Sequence, residues 1–178
     1  MLAPARAAFR SGALSLAAVA LLLLPACVTS RPVIPEDLAA QVDWSIPFEY
    51  VLKNPAFYQG KLVAFGGEVL SARRLEQETR VEILQLPLDG SREPQTARTL
   101  SAGRFLVYQK EFLDPATLPR GTRVTVVGTV RGPETAPLDD APYTFPVLDM
   151  RHLVVWTVRK SSGGSQTQFH FGVGVGIH

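Results

Sequence analysis

A chain of 178 residues with one cysteine cannot be stapled by an internal disulfide, so its fold must rest on packing alone. Arg6 and Arg10 are the only charges in the first 26 residues, and without that stretch the 18 Lys and Arg fall level with the 16 Asp and Glu. The formally neutral remainder, about 150 residues and a common single-domain size, excludes a strongly basic nucleic-acid binder, whose affinity would come from neutralising several phosphates.

Arg6 and Arg10 form a positive n-region, and Ala13 to Leu24 an apolar h-region too short for a comfortable membrane span. The run Leu21-Leu22-Leu23-Leu24-Pro25-Ala26-Cys27 then closes on small residues and the lone cysteine. It reads as a lipoprotein signal over residues 1–26, cleaved between Ala26 and Cys27; the alternative is an ordinary signal followed by a chance cysteine. A diacylglycerol and an N-acyl chain on Cys27 would remove an exposed thiol and supply apolar anchors, each buried methylene worth about 0.8 kcal/mol. Pro25 departs from the small or hydroxyl residue commoner at its position. Val28 stands where an Asp would favour inner-membrane retention, so the expected address is the outer membrane, with the domain facing the periplasm. Residues 27–46 read as the lipidated cysteine and a tether, because Pro32 and Pro35 stand among small and polar residues.

Pro47 followed by Phe48 to Lys53 predicts a helix of about two turns, stopped before Asn54-Pro55 because the residue preceding proline avoids the helical region. So short a helix must be seated on the rest of the domain by Phe48, Val51 and Leu52. The period then changes to two. Leu62 to Leu70 places Val63, Phe65 and Val69 on one face, with Gly66-Gly67 where a strand would bend or bulge. Thr79 to Leu86 turns Val81 and Ile83 inward and then puts Leu84 and Leu86 on the other parity, which suggests a bulge near Leu84. Residues Ser91 to Ala102 read as a loop, and Arg104 to Lys110 as a third strand carrying Phe105 and Val107. Thr122 to Arg131 sets Val124, Val126 and Val130 against Arg123, Thr125 and Thr129, with Gly128 at a point of curvature. Gly132 to Pro142, rich in proline and carboxylates, reads as a solvated loop, and Tyr143 to Val147 and Met150 to Val158 as the last strands. The expected fold is all-β: a small antiparallel OB-like barrel of five to six strands over residues 47–160, with one short N-terminal helix. Residues 161–178 read as a flexible linker and a tail in which Gly172, Gly174 and Gly176 alternate with apolar residues; it is either frayed or a one-faced strand.

The inventory of reactive groups is thin. Cys27 is committed to lipid, and His170 and His178 lie eight apart, which is no ligand spacing, so neither a metal nor another cofactor is expected. No strained nucleophile-elbow signature marks out a serine. A hydrolase would need His152 joined to Asp149 or Asp139. Asp114, Asp139, Asp140 and Asp149 could form an acidic rim and Arg73, Arg74 and Arg104 a basic one, though both sets read more simply as solvated faces. Tyr58, Tyr108 and Tyr143 are the candidate ligand contacts, since OB barrels bind oligomeric ligands by stacking on exposed rings.

Several segments resemble the Slp family of Gram-negative outer-membrane lipoproteins. They are Leu24-Pro25-Ala26-Cys27, Asn54-Pro55-Ala56-Phe57-Tyr58-Gln59-Gly60-Lys61 with Phe65-Gly66-Gly67-Glu68-Val69, and Glu82 to Asp89. Gly103-Arg104-Phe105-Leu106-Val107, Phe112-Leu113-Asp114-Pro115, Pro142-Tyr143-Thr144-Phe145 and Val155-Trp156 continue the likeness. The resemblance implies an envelope lipoprotein associated with starvation and stationary phase, and it carries over no catalytic motif. The expectation is therefore a non-enzymatic lipoprotein anchored in the outer membrane, serving an envelope protein or glycan partner. The alternatives are a lipid-anchored ligand- or glycan-binding module and, last, an envelope hydrolase.

Overall fold

Apolar residues recur at every second position along each strand, and the order in which those strands pair closes them on themselves. The computed structural model describes residues 32–156 and 170–171. Its strands are β1 (Leu62–Arg74), β2 (Thr79–Leu86), β3 (Arg104–Gln109), β4 (Arg123–Leu138), β5 (Ala141–Trp156) and the two-residue β6 (His170–Phe171); its helices are α1 (Glu36–Ala39) and α2 (Phe48–Lys53). Hydrogen-bonded neighbours run β3-β2-β1-β4-β5-β6, all antiparallel. A parallel pairing of β3 with β5, through Leu106–Val147, Val107–Leu148 and Tyr108–Asp149, closes five of them into a barrel. This is the OB-like barrel that the alternation predicts.

Val63, Phe65 and Val69 of β1, Val81 and Ile83 of β2, Phe105 and Val107 of β3, and Val124, Val126 and Val130 of β4 fill the interior. α2 plugs one end. Pro47 caps it in an extended conformation, and the Phe48 ring lies edge-on to Phe65 at 5.2 Å and tilted to Phe105 at 5.6 Å. With Phe48 and Val51 buried, the helix is held by the barrel rather than by its own hydrogen bonds.

Three expectations about the chain are corrected. The parity switch at Leu84 and Leu86 involves no bulge there: β2 keeps register with β1 from Ile83 to Leu86, and the irregularity falls in β1 between Val69 and Ser71. Leu86 is buried on the outer face because the following loop folds back over it, bringing Leu88 against Gly66. Residues 132–142 are no loop. They are the outer half of one continuous β4–β5 hairpin, paired from Gly132–Val147 to Leu138–Ala141 with its turn at Asp139 and Asp140, so the two expected last strands are one. Pro133–Pro146, Thr135–Thr144 and Pro137–Pro142 share one parity, which leaves the missing proline N–H groups on the outer edges of the ribbon where no ladder bond is lost.

The third correction concerns the tether. Residues 32–46 are strapped to the barrel wall: Ile34 and Val42 are buried with Val127 and Val154, and α1 lies between them in sequence. The Asp43 amide donates to the Leu62 carbonyl at 2.9 Å, and Trp44 Nε1 to the Ala39 carbonyl at 3.0 Å. Of the glycine-alternating tail, His170 and Phe171 are described, as β6 opposite Val154 and Leu153; Cys27 and the signal lie outside the described residues.

Candidate functional site

In OB barrels the ligand face spans β2 and β3 and is flanked by the β1–β2 and β4–β5 loops. Here the β4–β5 connection is itself the hairpin arm, and the arm lies on that face. Leu106 and Tyr108, which point outward from β3, are buried beneath it with Phe145, Val147, Ala136 and Tyr143. Polar contacts fasten the cover. Tyr108 Oη donates to Glu134 at 2.8 Å, and Tyr143 Oη accepts from the Arg104 amide at 3.0 Å. Burial first, and then the Glu134 carboxylate, push the Tyr108 phenol above its usual range.

Arg131 stacks its guanidinium 4.4 Å from the centre of the Tyr108 ring and donates to Asp149 and, at 3.1 Å, to Glu78. Its pKa is raised, chiefly by the hydrogen bond to Asp149. Arg104 pairs with Glu82 at 2.8 Å. Asp149 and Arg104, read as parts of opposite rims, are therefore partners in separate ion pairs along the wall.

The three tyrosines do not form one open face. Tyr108 is only 7% exposed and Tyr143 packs in the same cluster, whereas Tyr58 belongs to the neighbourhood of α2. A stacking platform needs exposed rings, and the arm has taken those of β3. Tyr58 instead joins Tyr50, Lys53, Asn54 and Phe57 around an open notch of about 400 Å³, with the Phe57 and Tyr58 rings edge-on at 5.1 Å. Phe57 is 75% exposed. The sequence carried the signal: Asn54-Pro55 ends the helix and puts Phe57-Tyr58 on the turn that follows, where Tyr58 packs partly against the core and Phe57 does not.

His152 is buried on β5 with Nε2 3.3 Å from the Val33 carbonyl, beneath the strap. Asp149 is engaged by Arg131, and Asp139 sits at the hairpin tip, far along β4 from Val127, the partner of His152. Among the described residues no group of three or more His, Cys, Asp and Glu side chains is arranged to hold a metal ion. A charged residue that sequence reading passed over is Glu68, 8% exposed in the middle of β1 and held by a two-pronged contact with Arg98, one arm of which is 2.9 Å. That hydrogen bond, more than any other influence, holds its carboxyl below the usual range. A glutamate between Gly67 and Val69 in an apolar strand is the signal for such a pair, because a carboxylate is not buried without a partner.

A closed OB-like barrel, plugged at one end by a helix and covered on its usual ligand face by its own hairpin, is the class of protein these features define. The chain belongs to the outer membrane lipoprotein Slp family, whose family model matches residues 24–172. It is 32% identical over 154 residues to the outer membrane protein Slp of Escherichia coli K12, covering 85% of this chain and 79% of that one. It is also 32% identical over 142 residues to the uncharacterized lipoprotein YeaY of the same organism, covering 76% and 67%. An uncharacterized protein of Haemophilus influenzae is 32% identical over 98 residues, 55% of this chain and 53% of that one.

Proposed function

We propose that this is a non-enzymatic lipoprotein in which diacylglycerol and N-acyl chains on Cys27 hold a periplasm-facing barrel to the outer membrane, where it contributes to the cell envelope under starvation or stress. The observation that carries the reading is the strap. Residues 32–46 are fixed to the barrel wall, so a lipid on Cys27 is coupled through very few residues to a rigid domain. The family match supports it further, because it begins at Leu24 and so takes in the cleavage segment Leu24-Pro25-Ala26-Cys27. The test is metabolic lipid labelling of the wild type and Cys27→Ala with inner and outer membranes separated. Label in the outer membrane that is lost in the variant supports the anchor, and unlabelled soluble wild-type protein overturns it.

A second reading, a lipid-anchored glycan- or ligand-binding module, draws on the notch beside Tyr58. Oligosaccharide binding that disappears in Tyr58→Ala would favour it. The hydrolase reading is tested by His152→Ala, which on the non-enzymatic reading complements every phenotype of a deletion strain.

A further inference from the structure

Resting on the Cys27 anchor, we infer that the α2 end of the barrel is a docking surface for a phospholipid bilayer, with Tyr50, Phe57 and Tyr58 seated at the interface and Lys53 among the headgroup phosphates. The first argument is length. Residues 28–31 separate Cys27 from Pro32, the first residue of the strap, and the five steps between them span no more than about 18 Å when fully extended. A domain of this size is about 35 Å across. The leash is therefore about half the width of the body it holds, and the barrel cannot stand clear of the membrane. One of its faces lies against the lipid.

The second argument selects the face. Phe57 at 75% exposure and Phe112 at 78% are the two most exposed large apolar side chains among the described residues, and they occupy different ends of the barrel. The Phe112 end, formed by the β1–β2 and β3–β4 connections, carries exposed charges of both signs, Glu76, Glu111 and Asp114 beside Arg73, Lys110 and Arg120, and the Arg74 guanidinium already lies over the Phe112 ring at 5.7 Å. Seating that end in the interface would strip water from this whole set of charges. The notch at the α2 end has Lys53 as its one charged lining residue beside Tyr50, Phe57 and Tyr58. Rings with one polar tip and a lysine with an apolar stem are the groups that settle at the headgroup level.

The experiment uses the full lipidated protein, purified from membranes and reconstituted into vesicles of phosphatidylethanolamine and phosphatidylglycerol. Lipidation consumes the sole native thiol, so Phe57→Cys and Phe112→Cys each accept one environment-sensitive fluorophore, at positions of nearly equal exposure. The expected result is blue-shifted emission at position 57, quenched several-fold more by a lipid-borne nitroxide than at position 112, and shielded there from aqueous iodide. Equal quenching at the two positions, or deeper embedding at 112, overturns the docking. Shielding of position 57 by soluble peptidoglycan fragments and not by vesicles overturns the bilayer as occupant in favour of a glycan. Intact mass reads the anchor separately: lipid present with equal quenching overturns docking alone, whereas lipid absent overturns the anchor and the docking with it.

Discussion

Tyr108 donates its phenolic hydrogen to Glu134 across 2.8 Å, tying the outer face of β3 to the arm that crosses it. Removing that hydroxyl in Tyr108→Phe leaves the ring packed but the carboxylate, among the described residues, with the looser Arg80 contact at 3.8 Å. Because Glu134 is partly exposed, the expected loss is about 1 kcal/mol of unfolding free energy. Amide exchange should quicken through residues 133–146 while the barrel strands stay protected. Uniform exchange across the domain would show that the arm is not a separable cover.

The same phenol makes the arm sensitive to alkali. Its folded pKa lies above the ordinary value of 10.0, so the native state holds a proton that the unfolded chain gives up more readily. This contribution to stability is complete below about pH 10 and falls as pH rises through the folded pKa. A chemical-denaturation series from pH 9 upward should show a steeper loss for the wild type than for Tyr108→Phe.

Glu68 and Arg98 predict the opposite slope. The folded pKa of Glu68 is depressed below its ordinary 4.5, first by the hydrogen bond from Arg98. Its contribution is therefore present above that value and is lost as pH falls through the folded pKa. Arg98→Ala should destabilise the protein at neutral pH, and the gap from wild type should close on acidification. A gap that stayed constant down to pH 3 would mean that Arg98 acts through packing and not through charge.

Gly67 allows β1 and β2 to lie flush. A methyl there would overlap the Ile83 side chain and the Leu84 carbonyl, and a carbonyl locked in a sheet cannot move aside. Gly67→Ala should cost about 3 kcal/mol, the upper range for overpacking a core. Gly90→Ala, whose added methyl meets nothing within 4 Å, should stay within about 0.5 kcal/mol. Urea midpoints for the pair check the contrast.

Phe48 is the plug. Its truncation in Phe48→Ala opens a void between Phe65 and Phe105 and should cost about 3–5 kcal/mol. Tyr50→Ala, on the exposed side of the same helix, should be nearly silent. Thermal melts of the two variants separate a seated helix from an ornamental one.

Where one face of a strand meets the core and the other meets water, the barrel was legible from residue types. Val81 and Ile83 alternate with the half-buried Arg80 and Glu82 because the period of two is all the physics there. Legibility failed where a segment met protein on a second side. Leu84 and Leu86 switch parity because a loop covers the outer face of β2, and periodicity does not distinguish that from a bulge. The prolines at 133, 137, 142 and 146 conceal a hairpin, since only the pairing parity shows that their missing donors face outward. The strap was readable in principle: Ile34, Leu38 and Val42 recur at every fourth position, a helical stripe that Pro32 and Pro35 obscured. Of the site, Tyr58 stands beside Tyr50 and Phe57 around the notch, a grouping that the sequence does not show because Tyr50 sits on the short helix and the two rings on the segment after it. Tyr108 and Tyr143 were read as exposed because nothing in their own strands announces the arm above them.

Closure of the barrel depends on three residue pairs between β3 and Val147, Leu148 and Asp149, which lie late in the chain. A polypeptide threading through a membrane from its N-terminus therefore emerges for most of its length as an open sheet with unpaired edges at β3 and β4, the kind of surface that pairs with strangers. Its native contacts are mostly between residues far apart in sequence, which makes folding slow compared with a helical bundle of equal size. The chain is in this way well suited to being kept extended until export is complete, and a truncation before Asp149 would leave a product prone to aggregate rather than a smaller working domain.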